Sequence, residues 1–299
     1  MNKQLIEVKN DCSLKKFRGF LVIEDSESEY KIPLDCLSGV IISGNNITVS
    51  KKIINSICEQ GGYIIFCNDK YIPSAITLSY TGHWLISERI KYQINCSKPL
   101  QKELWKSIVQ NKIENQACIL SQYFPDNLNI QRLKMLAKQT LSNDKDNNEG
   151  IAASIYFHAL FGDSFTRNRQ KEDVNLLLNY TYTVLRALVA RAVAGNGLLP
   201  YLGLKHCNRM NMFPLVDDLI EPFRALADKF VFEEMKRLKS LEHVELTPEI
   251  KRRLTSIIIH PVQTQKGMIP LDEAIYDFVS SLVESFETKK NILRYPRIT

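Results

Sequence analysis

Apolar residues along this chain change their spacing once. Up to about residue 80 they fall in short, β-branched runs broken by turn formers. Phe17 to Glu24, Leu37 to Ser43, Ile47 to Ser50 and Tyr63 to Cys67 read as strands, with Gly44-Asn45-Asn46 and Asn68-Asp69 as turns. Lys52 to Gln60 reads as one short helix closed by Gly61-Gly62. From about His83 the period becomes helical: Trp84, Ile86, Ile90 and Ile94 begin it, and Leu104, Ile108, Ile113 and Leu120 continue it, with Pro99 separating two helices. Further helices are predicted over Asn129 to Leu141, Glu149 to Phe161, Val174 to Ala194 (stopped by Gly195 and Gly197), Phe213 to Leu238 with a kink at Pro222, Pro248 to Ile258 and Leu271 to Thr288. The polar run Ser142 to Asn148 reads as loop. The pattern predicts an α+β protein: a small β-rich N-terminal domain, residues 1–80, followed by a larger all-α domain, residues 81–299.

Composition narrows the class. With 299 residues the chain is long enough for two domains, and 44% hydrophobic with 24% charged residues is ordinary for a globular protein. Apolar runs such as Tyr63 to Cys67 are far too short for a membrane span, and Met1-Asn2-Lys3-Gln4 lacks the apolar core of a signal peptide. Seven scattered cysteines form no Cys-x-x-Cys pair, which argues against a disulfide framework or a zinc ribbon and for reduced thiols in a cytoplasm. Residues 1–80 carry nine Lys/Arg and nine Asp/Glu, so the net charge of +6 lies wholly in residues 81–299. That part is the better candidate for contacting a polyanion, although solvated helix faces account for the same count.

The chemistry concentrates between Leu202 and Arg224. His206 stands shortly before a helical segment carrying Asp217, Asp218 and Glu221, with Lys205, Arg209 and Arg224 around them. On a helix Asp218 and Glu221 share a face, as do Asp217 and Glu221; such crowding costs stability unless a cation sits between the carboxylates, while a solvated acidic face capped by Arg224 is the bland alternative. A lone histidine is more often a packing residue than a ligand, but cations at 205 and 209 are poor company for a buried one. Glu149 at a helix start is the ordinary choice against the helix dipole, and also an exposed carboxylate at the edge of a polar loop. Together Glu149, His206 and Glu221 make an oxygen, nitrogen, oxygen donor set without sulfur, suited to Mg²⁺ or Mn²⁺; nothing in the sequence brings Glu149 near His206. Arg167 and Arg169 form a basic loop around aromatic residues, either a phosphate contact or a wet turn.

Three blocks carry a family likeness. They are Asn148-Glu149-Gly150-Ile151-Ala152-Ala153 running through Tyr156-Phe157 and Leu160-Phe161-Gly162 to Arg167; Leu178-Asn179-Tyr180 with Tyr182; and Gly203-Leu204-Lys205-His206 through Asp218-Leu219-Ile220-Glu221-Pro222-Phe223-Arg224. With these the chain resembles the CRISPR-associated integrase, the endonuclease subunit of the spacer-acquisition complex, most closely the form of type II systems. The resemblance covers the whole layout, a β-rich domain before a helical one. It implies metal ligands at Glu149, His206 and Glu221 and an accessory aspartate at Asp218; for such a protein the cations Arg167, Arg169, Lys205, Arg209 and Arg224 are the expected DNA contacts, made through phosphates. It also implies dimers bridged by a small partner subunit that insert short double-stranded DNA into a repeat array; the β-rich domain, with no net charge and with edge strands to cover, is the expected homodimer interface. Asn148, Thr181 and Ala225 depart from the family pattern, and none is a proposed ligand. A basic DNA-binding scaffold without catalysis, or a nuclease acting on RNA, are the competing readings; the scaffold needs no acidic cluster.

Overall fold

The computed structural model describes residues 4–68, 73–77, 85–168, 170–206, 211–238 and 244–298. The chain divides into two compact units, Met1–Trp84 and Leu85–Thr299. The first holds β1 (Gln4–Val8), β2 (Cys12–Phe17), β3 (Phe20–Glu24), β4 (Glu29–Pro33), β5 (Leu37–Ile42), β6 (Ile47–Val49), α1 (Lys51–Glu59), β7 (Tyr63–Cys67) and β8 (Pro73–Ile76). They form two four-stranded sheets, in the orders β1-β5-β7-β8 and β4-β3-β2-β6. β5 pairs in parallel with β1 and β7, while β3 pairs antiparallel with β2 and β4. Leu14 and Leu21 from one sheet, Val40 and Ile64 from the other, and Ile53 and Ile57 from α1 pack into one buried cluster. The segment from Phe17 to Glu24, expected as one strand, is instead a reversal. β2 ends at Phe17 and β3 begins at Phe20, and between them Arg18, at φ 51°, and Gly19 make the tight turn.

The second unit runs α2 (Ile86–Ile94), α3 (Lys98–Tyr123), α4 (Asn129–Gln139), α5 (Asn148–Phe161), α6 (Val174–Gly195), α7 (Pro214–Leu219), α8 (Arg224–Met235), α9 (Pro248–Thr255), β9 (Pro261–Thr264), β10 (Gly267–Pro270) and α10 (Leu271–Thr288). It is helical with one exception to the all-α expectation, the antiparallel hairpin of β9 and β10. Pro99 falls in the first turn of α3, where its missing N–H costs nothing, and the hydroxyl of Ser97 caps that turn. Pro222 does more than kink a helix. The stretch from Phe213 to Leu238 breaks into α7, a 3-10 turn over Glu221–Phe223 and α8. The carbonyl of Pro222 accepts from the Asn115 side chain of α3, at 2.8 Å. Among the described residues no helix is long and apolar enough to cross a membrane.

Candidate active site

α3 is the floor of the site. Its inward stripe is apolar at Trp105 and Ile108, then turns polar at Lys112, Asn115 and Gln116, all buried. A lysine four residues after Ile108 on such a stripe pays for burial only if counter-charges meet it. Two do. Nζ of Lys112 lies 2.6 Å from Oε1 of Glu149 and 2.5 Å from Oε2 of Glu221. Burial alone would lower the ammonium, but Glu221 and Glu149 outweigh it and raise its pKa, so the side chain is charged.

Glu149 reaches this point from the first turn of α5. The polar run before it is a wound turn rather than a loose loop. Asn143, Asp144 and Asn147 all adopt positive φ, at 64°, 48° and 55°, which short polar side chains tolerate better than others. The turn aims the Asp144 carboxylate at the helix start, where it accepts from the backbone N–H of Asn148 at 2.9 Å and of Glu149 at 3.1 Å. Gly150 lies close under it; a Cβ there would meet the Asn147 amide at 2.7 Å.

Glu221 arrives from the break after α7. It is 4% exposed, and Nε of Arg224 donates to its Oε1 at 2.8 Å. Burial would raise its carboxyl, but Arg224 and Lys112 outweigh burial and hold it below its ordinary value. Its Oε2 lies against the Lys112 ammonium at 2.5 Å, so both oxygens of this buried carboxylate face a cation.

Asp218, expected as an accessory acid, builds the turn that carries His206. Fully buried, it accepts through Oδ2 from the backbone N–H of Leu204 at 2.6 Å and of Lys205 at 3.0 Å. Its Oδ1 lies 2.5 Å from Nδ1 of His206. Asp218 thus folds the turn and aims the imidazole, leaving Nε2 to meet a ligand or a proton. The hydrogen bond to Asp218 raises the His206 pKa against the lowering effect of burial, and Glu221 and Glu149 add to the rise. The ring stands edge-on to Trp105, with centroids 5.6 Å apart. Gly203 permits the turn: a Cβ there would lie 2.5 Å from the His206 carbonyl oxygen and 2.9 Å from Oδ2 of Asp218. Asp217 faces elsewhere, paired with Arg186 at 2.6 Å.

Behind Glu221 lies a second polar network. Arg224 sits over the Tyr182 ring, 4.6 Å from its centroid, and Arg167 lies 5.5 Å from the same centroid. The Tyr182 hydroxyl donates to Oδ1 of Asp228, whose carboxyl burial pushes up to about 7. Of the expected DNA contacts, Arg167 is engaged with Asn175 and Asn179 at 2.9 and 2.8 Å, Arg224 with Glu221, and Lys205 with the Asn143 carbonyl at 3.1 Å. These cations hold the site's framework. Arg169 and Arg209 lie outside the described residues.

Two carboxylates and an imidazole suit a hard divalent cation. The three do not yet close on one point: among the described residues no group of three His, Cys, Asp or Glu side chains is gathered tightly enough to hold a metal ion as it stands. The Lys112 ammonium occupies the space between the two carboxylates. Lys112 and Asn115 escaped the sequence reading. Their signal was there, as polar residues on the apolar stripe of α3.

Comparison with known proteins places the sequence and the fold. The chain is 37% identical over 295 residues to a CRISPR-associated endonuclease Cas1 of Neisseria meningitidis serogroup C (strain 8013), covering 97% of this chain and 95% of that one. Its fold matches a casposase bound to integration product with a TM-score of 0.79, at 20% identity over 98% of this chain and 92% of the other. It also matches a Cas6-RT-Cas1–Cas2 complex with a TM-score of 0.76, at 15% identity over all of this chain and 36% of that longer one. Residues 5–256 fit the family described as CRISPR associated protein Cas1. With the β-rich unit, the helical unit and the three sequence blocks all accounted for, this chain belongs to the Cas1 family of CRISPR-associated endonucleases.

Proposed function

We propose that this protein is a divalent-metal-dependent DNA integrase and nuclease, which inserts short duplex DNA into a repeat array. One observation carries the reading. Carboxylates from two separate helical segments, Glu149 and Glu221, meet on a single buried cation beside an oriented imidazole. A non-catalytic scaffold has no use for so costly an arrangement of buried charge.

Glu149, His206 through Nε2 and Glu221 would hold Mg²⁺ or Mn²⁺. The bound ion would supply Lewis-acid stabilisation of charge at the phosphorus and favour ionisation of the attacking 3′-hydroxyl. The chain's own residues do the rest. Asp218 fixes the turn and the imidazole direction, so His206 is placed before substrate arrives. Arg224 holds Glu221 in register.

The structural likeness to a Cas1–Cas2 complex supports a small partner subunit, and the likeness to a product-bound casposase supports duplex DNA as substrate. Insertion at both ends of a repeat needs two centres, and we assign their spacing to a homodimer formed through the β-rich unit. That unit bears no net charge over residues 1–80, and exposes Phe17, Phe20 and Tyr30 on its strands.

The test is strand joining with a short duplex, a repeat-bearing plasmid and the partner subunit. Glu149→Ala, His206→Ala and Glu221→Ala should each abolish joining with folding intact, and a chelator should do the same to the wild type. Near-normal joining by any one variant would remove that residue from the ligand set, and full activity after exhaustive chelation would remove the metal.

A further inference from the structure

The role of Lys112 is not explained by binding DNA or by holding the fold. It is a buried ammonium, 7% exposed, in the middle of α3, and both of its close partners are carboxylates proposed as metal ligands. Its contacts, 2.6 Å to Glu149 and 2.5 Å to Glu221, draw oxygens from α5 and from the Glu221 turn toward one point. Arg224 adds a second positive charge on Glu221. Two carboxylates against two cations make a locally neutral site. A divalent ion entering beside an unmoved Lys112 would meet no net negative charge, and at such separations in a protein interior that is a strong disincentive.

We propose that Lys112 is the resident counter-cation of Glu149 and Glu221: it holds the two carboxylates together and competes with the divalent ion for them. This rests on the metal reading above and deepens it. Lysine suits the part. An ammonium on a four-carbon stem can swing off the carboxylates without disturbing α3, whereas a guanidinium fork would hold them more rigidly. The consequence is a site whose carboxylates stay paired at all times, first to the lysine and then to the metal, and whose metal affinity is set low by a built-in competitor.

Mn²⁺ binding to the full chain, followed by calorimetry and by loss of the free-ion spin-resonance signal, separates the possibilities. Lys112→Met should bind Mn²⁺ at least tenfold more tightly than wild type. It should melt lower than wild type without divalent ion, and Mn²⁺ should raise its melting temperature by more. Lys112→Arg, which keeps the charge, should bind no more tightly than wild type. If wild type binds Mn²⁺, and Glu149→Ala does not, but Lys112→Met binds no tighter than wild type, the competition is refuted while the metal reading stands. If neither wild type nor Lys112→Met binds Mn²⁺, the metal reading falls and this inference with it. Should Lys112→Met fail to fold, a crystal structure of the wild type with Mn²⁺ decides. Nζ withdrawn from at least one carboxylate supports the competition, and Nζ still within hydrogen-bond distance of both overturns it.

Discussion

Gly203 illustrates how little room the site leaves. Its φ is not in the left-handed region, so the requirement is for space alone: a methyl group there would press on the backbone carbonyl of His206 and on the Asp218 carboxylate that orients the imidazole. The carbonyl belongs to the turn itself and cannot step aside as a side-chain tip could. Gly203→Ala should therefore displace His206 while leaving the helices in place. Misplacing a reacting group by about an ångström costs on the order of 10²-fold in rate, and joining should fall by about that much with the far-ultraviolet circular dichroism unchanged. Near-wild-type joining would mean the turn gives way without moving the ring. At this scale the sequence was partly legible. His206, Glu149 and Glu221 stood out by type and by motif, and the structure brings their neighbourhoods together. Asp218 was legible as important but not as a fold-making acceptor, because three backbone donors converging on one carboxylate leave no mark in spacing. Lys112 was hidden, since 37 residues separate it from Glu149.

Among the elements, α6 and α8 are joined by a proton as well as by packing. Tyr182 of α6 donates to Asp228 of α8, and burial holds that carboxyl at about 7 in spite of Tyr182, Arg224, Lys112 and Arg167, all of which favour its charged form. A folded-state pKa above the unfolded value near 3.8 means the native state holds a proton the unfolded chain has lost. The associated stability is fully present below the unfolded value and disappears as pH rises through about 7, a change of up to roughly 4 kcal/mol. Asp228→Asn keeps the shape and abolishes the titration. Wild type should accordingly lose melting temperature relative to Asp228→Asn between pH 5 and pH 8, and a difference flat across that range would contradict the assignment. Helix existence was readable from periodicity throughout, because the apolar stripes are long. The break at Glu221 was not: proline predicts a kink, whereas the 3-10 turn found in its place meets α3, where the Asn115 side chain donates to the Pro222 carbonyl.

For the whole molecule, the division of labour follows the charge. The β-rich unit, whose nine cations and nine anions cancel over residues 1–80, exposes Phe17, Phe20 and Tyr30, and the surplus of six positive charges lies in the rest of the chain. Sedimentation of the purified protein should give about twice 34.4 kDa. Phe17→Ser with Tyr30→Ser should shift it toward the single-chain mass without unfolding the unit, since both side chains lie on its surface. A strictly monomeric wild type at micromolar concentration, still joining DNA at both ends of a repeat, would refute the dimer. The two-part layout was plain in the change from strand to helix period. The hairpin of β9 and β10 was not, because two four-residue strands fall below what alternation can reveal.

The order of the site along the chain has a further meaning for the protein as it is made. Asn115 and the Pro222 carbonyl it satisfies are 107 residues apart, and the charged groups emerge in the sequence Lys112, Glu149, His206, Glu221. On the ribosome the lysine therefore appears before either acid it will neutralise, and the last carboxylate appears only after some three-quarters of the chain. Because its parts meet only after so large a loop has closed, a nascent or truncated chain ending before Glu221 lacks the buried pairing of Lys112 with both carboxylates.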